Sequence, residues 1–422
     1  MLTSCGRKGD PTDLPQGGPF VISVSRLAKC PAREENEAVR GIYLHIPFCR
    51  RKCSYCDFYS VTASSDVTAG FLDLLVGEMD LFRRRFPEDA KAPADTVYFG
   101  GGTPTVLPPE ALCGLLAATR ERFPVEPGAE VTVEANPGTV TADGLRALAM
   151  GGFTRISIGV QSFTPATLRT LSRIHGVEEV GRTYREARSA GFSSLGIDLI
   201  FGIPGQTAED WEADLDRTIA FLPAHVSAYA LAPEPGTPLH AAIGRGEVAI
   251  PPDEEVAQMY ETARTVLSGA GYRQYEISNF ALPGSESRHN RKYWRREGYL
   301  GLGPSAHGLI FPPGTVPYGL RTANPPSLAG YGSRVREGLL PWIEERPCRH
   351  EDAWKESLIF GLRMNEGVDL EEIETRIGAP PEPLRDAVTE MTRTGKLLRE
   401  GTRLRLPGNL LFVSNEVLAL LA

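Results

Sequence analysis

Three cysteines lie within eight residues of one another, Cys49, Cys53 and Cys56, in the run His45-Ile46-Pro47-Phe48-Cys49-Arg50-Arg51-Lys52-Cys53-Ser54-Tyr55-Cys56-Asp57-Phe58. Thiolates at that density are metal ligands. Structural zinc takes four ligands, commonly as two separated pairs, and no second pair follows this triad. Iron–sulfur clusters are held by cysteine thiolates, usually four, so three on one tight loop leave an iron open to an outside ligand. An open position implies ligand exchange or chemistry. A cluster is therefore expected, with zinc or merely buried thiols as the alternatives. Arg50, Arg51 and Lys52 are expected to lower the thiol pKa values and to offset the charge of a thiolate-bound cluster. Of the other cysteines, Cys5 and Cys30 fall near the N-terminus, while Cys113 and Cys348 read as structural thiols.

Such a loop needs a frame. From Gly41 onward a short β-branched run, a Gly- or Pro-containing loop and an amphipathic segment recur in turn. Strands are predicted at 41–46, 96–99, 130–135, 155–160, 195–200 and 225–231, and helices at 66–86, 109–123, 142–150, 165–173, 177–190 and 208–221, with Gly191 stopping the fifth. This α/β alternation gives a parallel sheet with right-handed crossovers, either doubly wound or rolled into a partial or full (β/α) barrel. In barrels the chemistry gathers in the loops after the C-terminal strand ends. Those ends carry, in order, the cysteine loop, Gly100-Gly101-Gly102-Thr103-Pro104, Glu134-Ala135-Asn136-Pro137, Gln161, Asp198 with Gly202-Ile203-Pro204-Gly205, and Ala232-Pro233-Glu234.

Residues 1–40 read as a disordered leader and 41–280 as the barrel. Beyond about 252 come a helix at 253–269, a strand-like Tyr272–Ile277 and a Gly/Pro-rich connection through 340, so that 281–349 reads as a connecting segment. Residues 350–422 read as three helices, a hairpin turning at Gly401 and a terminal helix, an order that suits a small winged-helix-like accessory domain for packing or docking; no basic recognition helix stands out to make it a DNA reader.

The 422 residues are 41% hydrophobic and 23% charged, an ordinary globular composition. With 53 acidic against 45 basic residues the net charge is -8, which disfavours non-specific binding to nucleic acid or an anionic membrane. Seven cysteines, an odd and sparse set, do not form a secreted disulfide framework. No run is long and apolar enough for a membrane helix, and a cytoplasmic protein is expected. Leu2-Thr3-Ser4-Cys5-Gly6 looks like the end of a lipoprotein signal without its hydrophobic part, and a misassigned start is expected in its place.

The Cys-x3-Cys-x2-Cys spacing resembles the radical S-adenosylmethionine superfamily, in which a 4Fe-4S cluster leaves its fourth iron to the amino and carboxylate groups of the nucleotide. Gly100–Pro104 looks like that superfamily's GGTP element, which contacts the methionine amino group. Within the superfamily the chain is similar to the oxygen-independent coproporphyrinogen oxidase group from about residue 41 to the C-terminus. The resemblance implies that Tyr43, Tyr55, Gly101, Gly102, Thr103, Glu134, Gln161, Arg173, Asp198 and Ala232 line the nucleotide pocket. Side-chain chemistry agrees in type: Glu134 and Asp198 accept hydrogen bonds from hydroxyls or an ammonium, and Arg173 donates to a carboxylate.

Two features separate subfamilies. The oxidases typically continue the loop with a further cysteine where this chain has Phe58. Conversely, His289-Asn290-Arg291-Lys292-Tyr293-Trp294, followed by Tyr299–Gly308, resembles the signature of the HemW-type heme chaperones. There His289 would supply an axial base to heme, Tyr293 and Trp294 flat apolar surface, and Arg291, Lys292 or Arg295 partners for the propionates, with His307 as a rival ligand. The resemblance implies a carrier that binds heme and passes it to respiratory apoproteins, with the cluster and S-adenosylmethionine supporting a cluster-linked homodimer or heme release. The alternative is the oxidase itself, a radical decarboxylation of coproporphyrinogen propionates to vinyls.

Overall fold

Arg40–Ile46 is buried at every residue but Tyr43, and Arg155–Gln161 at every residue but Gln161. Strands without an in–out alternation belong to parallel sheets covered on both faces. The computed structural model, which describes residues 40–62, 65–314 and 316–422, contains such a sheet. Cys5, Cys30 and the expected leader lie outside the described residues, except Arg40, which opens the first strand. After β1 (Arg40–Ile46), two short strands, β2 (Phe48–Cys49) and β3 (Val61–Thr62), pair with each other across the cysteine loop. The rhythm continues with α1 (Ser65–Arg85), β4 (Ala94–Gly101), α2 (Pro109–Arg122), β5 (Val125–Ala135), α3 (Ala142–Met150) and β6 (Arg155–Gln161). Then follow α4 (Pro165–Thr170), α5 (Val177–Ala190), β7 (Ser194–Phe201), α6 (Ala208–Ala220) and β8 (His225–Ala230). Strands β1, β4, β5, β6, β7 and β8 lie side by side in that order, all parallel. Every predicted strand and helix of this half is present, and Gly191 ends α5 in the left-handed conformation, at φ 97°.

The chain then builds more sheet than its sequence suggests. It runs through α7 (Pro238–Gly244), α8 (Asp253–Gly269), β9 (Arg273–Glu276), β10 (Asn279–Ala281), α9 (Arg288–Trp294), β11 (Tyr299–Leu302), β12 (His307–Ile310), β13 (Leu320–Ala323), α10 (Leu328–Arg336) and β14 (Glu344–Pro347). β10 and β9 extend the sheet antiparallel beyond β8; β11 joins β1 in parallel, and β12, β13 and β14 continue antiparallel to give twelve strands. The Gly/Pro-rich connection expected through 340 therefore contains the strands β10 to β13 and the helices α9 and α10. Its glycines disguise the strands because close approach requires them: a Cβ on Gly301 would come 2.0 Å from the His307 carbonyl oxygen.

The C-terminal part follows the predicted order: α11 (His350–Gly361), β15 (Val368–Asp369), α12 (Leu370–Ile377), α13 (Glu382–Arg393), β16 (Leu398–Glu400), β17 (Arg403–Arg405) and α14 (Ser414–Leu418). β15, β17 and β16 form a small separate sheet, with Gly401 at the hairpin turn at φ 63°. Leu384, Val388 and Met391 recur on one face of α13 and are buried. Among the described residues no helix is long and apolar enough to cross a membrane.

A buried polar knot ties the second half of the sheet to the first. Glu78 of α1, 0% exposed, accepts hydrogen bonds from Gly303 N at 2.7 Å, Asn324 Nδ2 at 2.7 Å and Tyr331 Oη at 2.8 Å. Burial outweighs these donors and pushes the carboxyl up to about 7 from 4.5. A carboxyl raised on folding contributes stability that is full below the unfolded value and is lost as pH rises through the folded one. Glu78→Gln is expected to flatten that loss. The wild-type-minus-variant difference in urea stability should shrink between pH 5 and pH 8 by up to roughly 3 kcal/mol. A difference that does not change with pH would refute the assignment.

Candidate cluster and nucleotide site

β1 delivers the chain to Pro47, and the pairing of β2 with β3, with Val61 N donating to Pro47 O at 2.7 Å, clamps both ends of the cysteine loop. Beneath it lies the glycine run after β4. Gly102 N donates to Ile46 O at 2.9 Å and Thr103 N to Phe48 O at 2.7 Å. A Cβ on Gly102 would sit 2.6 Å from Phe48 O, and one on Gly101, at φ 109°, 2.6 Å from the His45 ring. Only glycine permits that approach. Thr103 Oγ1 lies 3.7 Å from Cys49 Sγ and accepts from Asn136 Nδ2 at 2.7 Å. From the far side Arg173 donates through Nη1 to Cys53 Sγ at 3.5 Å and through Nη2 to Gly159 O at 2.7 Å and to Asn136 Oδ1.

The three thiols are half-buried and unpaired. Burial pushes Cys56 up to about 11, Cys53 and Cys49 add to the rise, and Lys52 opposes it more weakly. The expected lowering of this thiol by the basic run is thus overridden by desolvation. Arg50 reaches away from the thiols, donating to Gly138 O at 3.0 Å and Thr139 O at 3.4 Å. Among the described residues no three His, Cys, Asp or Glu side chains are gathered around a single-ion site. The fit to a cluster rests instead on the donor set and on Arg173: three thiols on one loop, beside a guanidinium whose Nε is buried without a partner. That arrangement suits an anionic thiolate cluster with an open iron and a carboxylate-bearing ligand next to it.

Glu134 and Gln161 stand at the ends of β5 and β6, whereas Tyr43 and Asp198 lie within β1 and β7. Glu134 accepts from Tyr98 Oη at 2.7 Å and from Gly101 N at 3.2 Å. Burial, reinforced by Asp198, raises it to about 7. Asp198 accepts from Ser157 Oγ at 3.0 Å and Ser227 Oγ at 2.7 Å, and burial raises its pKa as well. Gln161 ends β6 at φ 68°, a left-handed conformation that costs a non-glycine residue about 1 kcal/mol or more. Tyr43 Oη is hydrogen-bonded to His45 Nδ1 at 3.0 Å. Tyr55 packs with Leu171, Ile200 and Ile203, whereas Ala232 is exposed beyond β8. Sequence reasoning missed Asn136 and Tyr98 as working residues. Tyr98 sits two positions before Gly100 and so on the same face of β4, and Asn136 follows directly after β5.

The His289 helix does not offer one open face. His289 is 1% exposed; its Nδ1 is bonded to Thr96 Oγ1 and its Nε2 to Tyr293 Oη, both at 2.8 Å. Burial, with Lys292 adding, lowers its pKa to about 3, so the ring is neutral. Trp294 lies under Arg363, 4.8 Å from guanidinium carbon to ring centroid. The cations expected for propionates are engaged within the protein: Arg291 and Arg295 with Glu366 at 3.3 and 2.8 Å, and Lys292 with Asp95 and Glu297 at 2.8 and 3.0 Å. His307, at the start of β12, is exposed. Anaerobic iron–sulfide reconstitution is expected to give a brown protein that is lost in Cys49→Ala, Cys53→Ala and Cys56→Ala alike; a full iron content in any one of them would remove that thiol from the ligand set.

Residues 43–218 match the radical SAM superfamily and residues 349–409 the HemN C-terminal domain. The chain is 34% identical over 342 residues to heme chaperone HemW of Bacillus subtilis (strain 168), across 81% of this chain and 87% of that one. It is 41% identical over 273 residues to heme chaperone HemW of Mycobacterium tuberculosis (strain ATCC 25618 / H37Rv), across 64% and 69%. Its fold is similar to that of coproporphyrinogen III oxidase (HemN) from Escherichia coli, a radical SAM enzyme, with a TM-score of 0.77 at 24% identity over 91% of this chain and 90% of that one. With the cysteine loop, the glycine run and the accessory domain all in place, the chain belongs to the HemW family of the radical SAM superfamily.

Proposed function

We propose that this protein is a cytoplasmic heme chaperone that takes up heme and passes it to respiratory apoproteins, built around a cluster and S-adenosylmethionine site. One observation carries the choice of carrier over oxidase: Phe58, 54% exposed, presents an apolar ring to solvent where the oxidase group continues its loop with another thiol. The names of the relatives, heme chaperones, support the same reading. Cys49, Cys53 and Cys56 would hold the 4Fe-4S cluster. Tyr43, Tyr55, Gly101, Gly102, Thr103, Glu134, Gln161, Arg173, Asp198 and Ala232 would surround the nucleotide. When bound, the pair supplies reductive cleavage of a sulfonium, or a bridge between two protomers. The chain's own residues bind and orient: Arg173 balances thiolate and carboxylate charge, while Glu134 and Asp198 accept hydrogen bonds from hydroxyl or amino groups. Division of labour follows the chain, with 41–280 carrying this site, 281–349 the heme-handling segment and 350–422 the docking unit.

A histidine can ligate heme iron only through an accessible ring-nitrogen lone pair. His289 has both nitrogens committed within the core, whereas His307 is exposed on an adjoining strand. The reading therefore assigns the axial base to His307 and gives Tyr293 and Trp294 a supporting role in the fold around it. Reconstituted protein titrated with heme is expected to develop a Soret band that is shifted or lost in His307→Ala. His289→Ala should keep the band position while losing about 2 kcal/mol of stability or more. Incubated with coproporphyrinogen III, S-adenosylmethionine and a reductant, the protein should form no vinyl product. Product equal to or exceeding the enzyme concentration would establish the oxidase instead.

A further inference from the structure

The aromatic layer between α9 and the nucleotide pocket is built with unusual care for space. Tyr98 lies on β4 and donates to Glu134 Oε1 at 2.7 Å. Its ring is stacked on His289, with centroids 5.1 Å apart and planes 28° apart, and tilted against Tyr43 at 6.1 Å. Two glycines clear room for these contacts. A Cβ on Gly100 would come 2.8 Å from Tyr98 Cε1 and 3.1 Å from the Glu134 carboxyl, and one on Gly41 would come 2.9 Å from the His289 ring. His289 is fixed in turn by Thr96, Tyr293 and, through its backbone, by Glu130, which accepts from His289 N at 3.2 Å. A continuous set of contacts thus runs from α9 through Tyr98 to a carboxylate at the cluster-side strand ends.

We propose that Tyr98 is a positioning residue of the nucleotide site, holding the orientation and ionisation of Glu134, and that His289 acts through Tyr98 to couple helix α9 to that site. This rests on the reading that Glu134 contacts the nucleotide. The groups facing Glu134 are the Tyr98 hydroxyl and Gly101 N–H, which favour its anion, and the Asp198 carboxylate, which opposes it; the Tyr43 and Tyr293 phenols lie close by. Burial already brings Glu134 to about 7, so a lost donor raises it further and the anion is depleted at neutral pH. The same logic gives the His-Asn-x-x-Tyr-Trp helix a task toward the nucleotide that needs no direct contact with heme.

The test is S-adenosylmethionine binding by equilibrium dialysis to the reconstituted full chain between pH 5.5 and 8.5, with iron content measured in parallel. Tyr98→Phe is expected to keep its iron, to move the binding midpoint up by about one pH unit and to weaken binding roughly tenfold below that midpoint. Should that variant lose its iron, 3-fluorotyrosine at position 98, a stronger donor, should move the midpoint down. Profiles that superimpose on the wild type would overturn the proposal. Wild-type protein that retains its iron and binds no nucleotide at any pH would overturn the underlying reading of the site instead.

Discussion

Backbone against backbone, where the glycine run after β4 passes under the start of the cysteine loop, is the contact on which the rest of the site depends. Two hydrogen bonds join the segments, from Gly102 N to Ile46 O and from Thr103 N to Phe48 O. They extend the β1–β4 ladder beyond both strands, so a loop of small polar and charged residues inherits the rigidity of a parallel sheet. The contact leaves no room for side chains: Gly102 faces peptide atoms and Gly101 the His45 ring. Thr103 then reaches Cys49 and Asn136, and Asn136 reaches Arg173 and through it Cys53. A side chain at either glycine would displace the loop and the whole set of partners together.

Around this seam the protein keeps polar groups in a desolvated interior. Glu134, Asp198 and Glu78 all have pKa values raised by burial, and each is held by hydroxyl or amide donors. Neutral donors stabilise a buried carboxylate without neutralising it. Glu134 and Asp198 therefore keep acceptor capacity for a ligand arriving at the strand ends. Glu78 instead accepts from Gly303 just after β11, Asn324 just after β13 and Tyr331 of α10, and so joins α1 to the second half of the sheet.

The first half of the fold was legible because its signals are local. β-Branched runs marked β1 and β4 to β8, though not the two-residue β2 and β3, and α3, α5 and α8 fall at the predicted residues. β11 to β14 were hidden, because Gly301 and Gly308 sit where neighbouring strands press closest, with Cβ positions only 2.0 and 2.5 Å from His307 O and Thr322 Oγ1. Residues that ensure such packing weaken the strand pattern that would announce it. The cysteine triad and the glycine run could be seen because their spacing is short-range. Tyr98 and Asn136 could not, since their value lies in partners dozens of residues away. The cations around His289 were visible as charges, but Glu366 and Asp95, which engage them, come from distant sequence positions that no local pattern connects.

The parallel pairing of β11 with β1 alters what the His289 signature does physically. It brings α9 to the end of the sheet opposite the cysteine loop, where Arg288 is tied to Gly128 O and Asp95, and Arg155 reaches the Ser285 carbonyl. A histidine held there among Thr96, Tyr98 and Tyr293 is a packing element first, and its neutral ring, with a pKa near 3, cannot serve as a proton switch in the physiological range. Features that distinguish a carrier from an oxidase must then lie where a large flat ligand can reach. Phe58 at the cysteine loop and His307 on β12 are exposed. The motif's histidine is thus buried, whereas Phe58 and His307 are open to solvent.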